Sequence, residues 1–172
     1  MKCCMECGAR LELRPLEHEG MVPFCPRCGE YRFPVYNVAV SMIVVHEPTG
    51  KLLLVKQYGK DFYRLVAGYV NRGEMLEHAV VRELKEEMGL TAVRIRFNRT
   101  EFFEPSNTLM CNFTAFVQDL EELEANYEID SYAWFTPEEA KKAIRPEILA
   151  GRFLNGYLAD RAEEDARRES NG

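Results

Sequence analysis

The sequence predicts a mixed α/β sandwich with a small metal-bound appendage at its N-terminal end. Three observations predict it. From residue 34 onward, short β-branched and apolar runs separated by turn residues alternate with helical patterns. One of those helices is fenced by glycines and loaded with glutamate. Five of the six cysteines fall within the first 28 residues, where a disulfide framework would spread them. Hydrophobic residues make up 47% of 172, enough to build a core in one domain of ordinary size.

Residues 1–33 hold two Cys-x-x-Cys-Gly knuckles, Cys4, Cys7 and Gly8, then Cys25, Cys28 and Gly29. Four thiolates in two such pairs suit tetrahedral zinc, and the glycine after each pair lets the backbone turn its amides toward the sulfurs. Between the knuckles, ARLELR alternates like a short strand. The segment has too few apolar residues to fold unaided, so the metal supplies the missing stability. A closed four-cysteine site has no open coordination position, which makes this zinc structural. A redox dithiol needs only one pair. The two-residue gap favours Cys4 over Cys3, and Cys111 reads as a small core residue in a later strand.

After Pro34, residues 35–47 read as a buried strand, PTG as a turn, and residues 51–59 and 62–70 as two further strands. Residues 74–88 are helical, 93–103 and 108–118 are strands, and 132–136 is a short strand. Thr136 N-caps a helix that Pro137 starts. Residues 145–169 read as a last helix, broken near Gly151. The expected plan is a zinc ribbon over 1–33, a main domain over 34–160 and a frayed tail over 161–172.

The net charge of −6 gives no general pull toward nucleic acid or anionic membrane. The ribbon segment is itself neutral, five basic against five acidic side chains, with no basic stripe. No apolar run is long enough to span a bilayer, and the N-terminus has no signal-peptide core, so the expected location is cytoplasmic.

The glutamate-rich helix carries the chemistry. Leu76, Val80 and Leu84 recur every four residues and should face the core. Glu83, Glu86 and Glu87 stand at i, i+3 and i+4, so their carboxylates converge on one face. Like charges at that spacing repel unless a cation sits among them, and hard oxygen ligands indicate Mg²⁺ or Mn²⁺. Gly68 and Gly73 are expected to bend the preceding loop and bring a carbonyl, near Gly68, toward the same cation, while Gly89 closes the helix. His78 falls off the glutamate face and reads as a surface residue.

The spacing Gly-x5-Glu-x7-Arg-Glu-Leu-x-Glu-Glu-x-Gly-Leu, set by Gly68, Glu74, Arg82, Glu83, Leu84, Glu86, Glu87, Gly89 and Leu90, resembles the Nudix box at every defined position. The strand order on either side extends the likeness over about residues 35–150 and implies the Nudix fold, an α/β/α sandwich on a mixed sheet. Family membership implies hydrolysis of a nucleoside diphosphate linked to another group. The resemblance gives Glu83, Glu86 and Glu87 to metal binding and catalysis. It makes Arg82 and Glu74 a structural loop-to-helix ion pair. The Glu128-Ile-x4-Trp134-Phe135 segment resembles that of the NADH pyrophosphatase branch, which adds Glu128 to the metal site. Glu121, Glu122 and Glu124 read as a solvated loop.

A zinc ribbon immediately before the box also resembles that branch, which includes enzymes acting on NAD-capped RNA. The segment from Thr100 to Thr108, followed by Leu109-Met110, matches the branch signature in length and ending but lacks its Gln, its Trp and most of its prolines. Many members carry a larger domain ahead of the ribbon, whereas this sequence opens at the ribbon. NAD(H) is the implied substrate, with ADP-ribose, FAD or another dinucleotide or nucleotide sugar as alternatives. Phe102, Phe103 and Pro105 offer an apolar wall, and Tyr69, Phe62, Tyr63 or Phe103 a stacking surface for adenine, against the plainer reading that each fills the core. The resemblance implies a homodimer. Two rivals of other classes are a nucleotide-sensing Nudix module without catalysis, against which the intact box speaks, and a nucleic-acid reader using the ribbon, against which its neutrality speaks.

Overall fold

The structure, a computed structural model, describes residues 2–121 and 123–170. The chain divides between Tyr36 and Asn37 into two compact units.

In the smaller unit, β1 (Glu12–Leu16), β2 (Gly20–Cys25) and β3 (Glu30–Tyr31) form an antiparallel sheet in that order. The strand expected over ARLELR starts later, at Glu12, preceded by an isolated bridge between Cys3 and Arg10. Its buried hydrophobic residues are Cys4, Val22 and Cys25. That is no core in the ordinary sense, and it leaves the cysteines to organise the fold.

The larger unit is built on β4 (Asn37–His46), β5 (Lys51–Gln57), β6 (Val66–Tyr69), β7 (Arg94–Phe103), β8 (Thr108–Val117) and β9 (Ile129–Phe135). The sheet runs β7-β8-β4-β5-β9, with β6 paired to β4. β4 and β8 are parallel over their full length, and the other pairs are antiparallel. β4 is central and buried on both faces, which is why its sequence is an unbroken apolar run rather than an alternation. Its free edge is shared: Ala39 to Met42 pair with β6, and Val44 to His46 pair with β5.

Helix α1 (Leu76–Met88) covers one face of the sheet, and α2 (Pro137–Ala143) with α3 (Leu149–Ser170) covers the other. Side chains of β5 divide accordingly. Leu53 and Val55 join the core under α1, while Leu52 and Leu54 join the core under α2 and α3. The result is the expected α/β/α sandwich on a mixed sheet. Cys111 is buried in the α1-side core, and Leu76, Val80 and Leu84 pack there as the periodicity predicts. Thr136 caps α2 and does so in a full capping box with Glu139.

Three expectations change. The strand expected over 62–70 is regular only over Val66–Tyr69, with Arg64 joined to Val55 by an isolated bridge. The last helix does not break at Gly151: α3 is continuous, and a methyl group at Gly151 would overlap the Arg145 carbonyl, so the glycine serves a close approach rather than a kink. Residues 161–170, expected within a frayed tail, are helical. They continue α3, which ion pairs Arg96–Glu164 and Arg99–Asp160 tie to β7, while residues 171–172 lie outside the described residues. Among the described residues, no helix is long and apolar enough to cross a membrane.

Candidate active site

The site begins where β6 delivers the chain into α1. Gly68 lies in β6 opposite Val40, not in the loop, and it has no left-handed backbone. Its requirement is space. A methyl group there would overlap the Glu83 carboxyl group, so Glu83 can lie flat on the strand only because residue 68 has no side chain. The loop glycine that does need a left-handed backbone is Gly73, at φ 83°. Gly89 closes α1 in the left-handed conformation and donates its N–H to the Lys85 carbonyl. Gly68→Ala is expected to displace Glu83 and lower turnover about 10²-fold, the cost of a misplacement on the order of 1 Å, with the melting temperature little changed. Turnover within a few-fold of the parent would show that Glu83 does not need this seat.

Arg82 holds the box together. Its Nε and one terminal nitrogen donate to the two Glu74 oxygens at 2.7 and 2.9 Å, the loop-to-helix pair expected of them. The other terminal nitrogen donates to Glu83 at 2.7 Å and Glu86 at 2.9 Å, and the Tyr69 carbonyl accepts a further bond at 3.0 Å. The guanidinium, helped by the Asn71 N–H, holds the Glu74 carboxyl down at about 2. Burial pushes Glu83 up against the opposing pull of Arg82.

Glu87 stands apart from this clamp. It is 4% exposed, and burial, with the negative charges of Glu83 and Glu128 next, pushes it up to about 8. The side-chain amide of Gln57, at the end of β5, donates to it at 3.0 Å. Glu128 arrives from the far side. The loop ahead of β9 is laced to the end of α1 by the Glu124 N–H on the Met88 carbonyl and the Asn126 N–H on the Glu87 carbonyl. Both carbonyls belong to the last turn of a helix, where they lack intrahelical partners. The Asn126 side chain accepts the Glu128 N–H, and Tyr58 donates its hydroxyl to the Glu128 carboxylate at 2.6 Å. That carboxylate pushes the Tyr58 hydroxyl up to about 12.

Glu83, Glu86, Glu87, Glu128, Gly68 and Arg82 all line one cleft of about 890 Å³. Of the expected aromatic wall, Phe103 and Tyr69 line it and Phe102 does not. Neighbours in a strand point to opposite faces, so Phe102 and Phe103 could not share the role, and Phe102 is 50% exposed. Phe62 also lines the cleft, whereas Tyr63 packs edge-on against Phe135 in the core under α2 and α3. His78 is exposed, as are Glu121 and Glu124, and Glu122 lies outside the described residues. Gln57, Tyr58, Asn126 and Arg64 were not singled out by sequence. The one signal available was a glutamine ending the apolar run of β5, where a buried polar side chain needs a partner.

The four cysteines of the smaller unit also converge. Sγ of Cys4 and Cys28 are 3.9 Å apart, those of Cys7 and Cys25 are 3.5 Å apart, and all four lie within 4.8 Å of one another. A tetrahedral ion with metal–sulfur bonds of about 2.3 Å needs edges of about 3.8 Å, close to those two separations. Gly8 and Gly29 take φ near 73° and return their N–H groups to the Cys4 and Cys25 carbonyls, while the Cys28 N–H faces Cys25 Sγ. Arg32, which sequence did not flag, donates to Cys4 Sγ and draws that thiol down to about 6, while the sulfurs of Cys7 and Cys25 push Cys28 up to about 12.

An α/β/α sandwich whose sheet sends a glycine strand directly into a glutamate helix is the Nudix arrangement. The NUDIX domain model matches residues 35–153, and the chain belongs to that family. NAD-capped RNA hydrolase NudC of Pseudomonas aeruginosa is 28% identical over 161 residues, 92% of this chain and 56% of that protein. NAD-capped RNA hydrolase NudC of Vibrio cholerae is 28% identical over 169 residues, 96% of this chain and 61% of that one. The chain thus spans little more than half the length of these curated relatives. Among solved structures, a NUDIX hydrolase from Nitrosomonas europaea superposes with a TM-score of 0.61 at 23% identity, covering 90% of this chain and 91% of that one. The E. coli ORF135 protein gives a TM-score of 0.59 at 27% identity, covering 76% and 97%.

Proposed function

We propose that this chain hydrolyses the pyrophosphate bridge of an NAD-type dinucleotide, giving AMP and nicotinamide mononucleotide. Glu83, Glu86, Glu87 and Glu128, with the main-chain carbonyl at Gly68, would hold Mg²⁺ or Mn²⁺. The observation that carries the reading is the convergence of these four carboxylates on one cleft, with burial pushing Glu83 up despite Arg82 and pushing the more deeply buried Glu87 up further. Such a cation, when bound, neutralises the bridge oxygens and lowers the pKa of an attacking water.

The chain's own residues do the rest. Arg82 locks Glu83 and Glu86 in place, and Gly68 leaves Glu83 room to face the cleft. Gln57 fixes the Glu87 carboxyl group and Tyr58 that of Glu128. One of the four carboxylates accepts the proton from water. Phe103, Tyr69 and Phe62 supply ring surface for a base.

The NAD side of the reading rests on the NudC likeness, which runs over 92% to 96% of this chain and so reaches beyond the family domain at 35–153. It admits NAD-capped RNA as well as the free dinucleotide. The four cysteines would hold a structural Zn²⁺. The family resemblance extends the reading to a cytoplasmic homodimer, which light scattering of the purified chain checks directly.

The test is a product assay with Mg²⁺ or Mn²⁺ on NADH, NAD⁺, ADP-ribose and FAD in parallel. AMP plus reduced nicotinamide mononucleotide, formed fastest from NADH, is expected. Faster release of ribose 5-phosphate from ADP-ribose would instead move the reading to that nucleotide sugar, a shift that the altered stretch from Thr100 to Thr108 would explain. No cleavage of any of the four would remove the free-dinucleotide reading.

A further inference from the structure

Among the described residues, one cation of the cleft has no counter-ion. Of the basic side chains lining it, Arg82 is spent on Glu74, Glu83 and Glu86, and Arg152 on Glu101 and the Glu147 carbonyl. Arg64 also lines the cleft, yet no carboxylate pairs with it among the described residues, and its buried Nε has no hydrogen-bond partner. A buried donor without an acceptor is costly and uncommon in native proteins.

Arg64 is nevertheless held in place. Its main chain bridges Val55, and its guanidinium lies over the Phe62 ring at 4.7 Å from the centroid. Arg145 lies over the same ring at 4.6 Å. Two guanidinium groups on one ring bring like charges together, an arrangement that a nearby anion stabilises. Asp61 lies within electrostatic reach of Arg145 but is itself paired with Lys56. The positive charge of Arg64 also reaches the Tyr58 hydroxyl, which binds Glu128. Gly68 is four residues further along the chain, at most about 14 Å away in extended backbone, so Arg64 and the carboxylate site can serve one bound molecule.

We propose that Arg64 binds a phosphate of the substrate, its fixed planar donors completing the set of contacts that the carboxylates and their cation begin. This deepens the proposed function and rests on it for the identity of the substrate. The phosphate is either one from the scissile bridge or one carried on the ribose of the adenosine side, as capped RNA carries at the 3′ position.

The experiment reads binding, so it does not depend on turnover. Calorimetry with Mg²⁺ present compares the parent with Arg64→Met and Arg64→Lys, using adenosine, AMP, nicotinamide mononucleotide and adenosine 3′,5′-bisphosphate. The methionine keeps an unbranched stem against Phe62 and removes the charge. It is expected to weaken a phosphate-bearing probe about 10- to 100-fold, the scale of a lost charge-assisted hydrogen bond, while adenosine is unchanged. Lysine is expected to recover part of the loss. Equal loss on AMP and the bisphosphate assigns Arg64 to the bridge, and loss larger on the bisphosphate assigns it to the ribose phosphate. Loss confined to nicotinamide mononucleotide assigns it to the bridge from the other side. Adenosine weakening as much as AMP would show that Arg64 only packs against Phe62, and an unchanged affinity for every probe, or a parent that binds no phosphate-bearing probe, would equally overturn the proposal. Failure of the dinucleotide reading appears separately, in the product assay.

Discussion

Glu87→Gln is expected to lower turnover by about 10²- to 10⁴-fold, whether the carboxylate serves as a cation ligand or as the proton acceptor. Glutamine matches glutamate in shape and can still meet the Gln57 amide, so the fold should survive. The same substitution should alter how the metal-free protein responds to pH. The folded state favours neutral Glu87, pushed up to about 8, whereas an unfolded glutamate titrates near about 4.3. Between those values the folded chain holds a proton that the unfolded chain releases. Stability from this group therefore falls as pH rises through that window and levels off above about 8. The variant lacks the slope, so its stability relative to the parent should grow from about pH 4.5 to 8. Added Mg²⁺ or Mn²⁺ should narrow the gap by stabilising the parent more. Denaturant melts at several pH values measure this. A variant that keeps a tenth of parental turnover, or a stability difference flat across the window, would sink the assignment of Glu87 to a cation site.

Cys25→Ser, or treatment with a chelator, is expected to have the largest effect on structure. Cys25 is fully buried, and the unit before Asn37 buries almost nothing else apolar. Structural zinc in small cysteine sites binds with about 10–16 kcal/mol at neutral pH, far more than so small a core can supply. Amides of β1 and β2 should lose protection in hydrogen exchange, while those of β4 and β8, at the centre of the larger sheet, keep theirs. Ribbon amides that stay protected in the serine variant would show that the fold does not depend on the cluster.

The parts legible in sequence were those set by local period or spacing. Glu83, Glu86 and Glu87 declare a common helix face because the helix repeat alone brings them together. The knuckle cysteines likewise declare their pairing through the two-residue gap. Glu128 was legible only through family resemblance, since its arrival beside Glu87 depends on main-chain bonds from Glu124 and Asn126 to the end of α1. Tyr58 and Arg64 were illegible, and Gln57 offered only its place at the end of β5, because strand register and a turn, not any spacing, aim them at the cleft. Tyr58 even sits at a left-handed φ of 56°, which no feature of QYGK announces. Gly68 was noticed for the wrong reason: a glycine signals freedom of backbone more readily than the close seat of another residue's carboxylate. Phe102 and Phe103 turn on strand phase, where an error of one residue reverses the face.

The strand at the rim of the sheet, β7, bears on how copies of this protein can meet. It carries Arg94, Arg96, Arg99 and Glu101, and its ladder to β8 slips between Phe97 and Arg99. All four are engaged in ion pairs, Arg94 with Glu47 and the others with Glu164, Asp160 and Arg152 of α3. A charged, bulged rim is a poor template for an incoming strand. The sheet is thereby closed to growth on that side, and two copies that associate do not do so by continuing the sheet past β7.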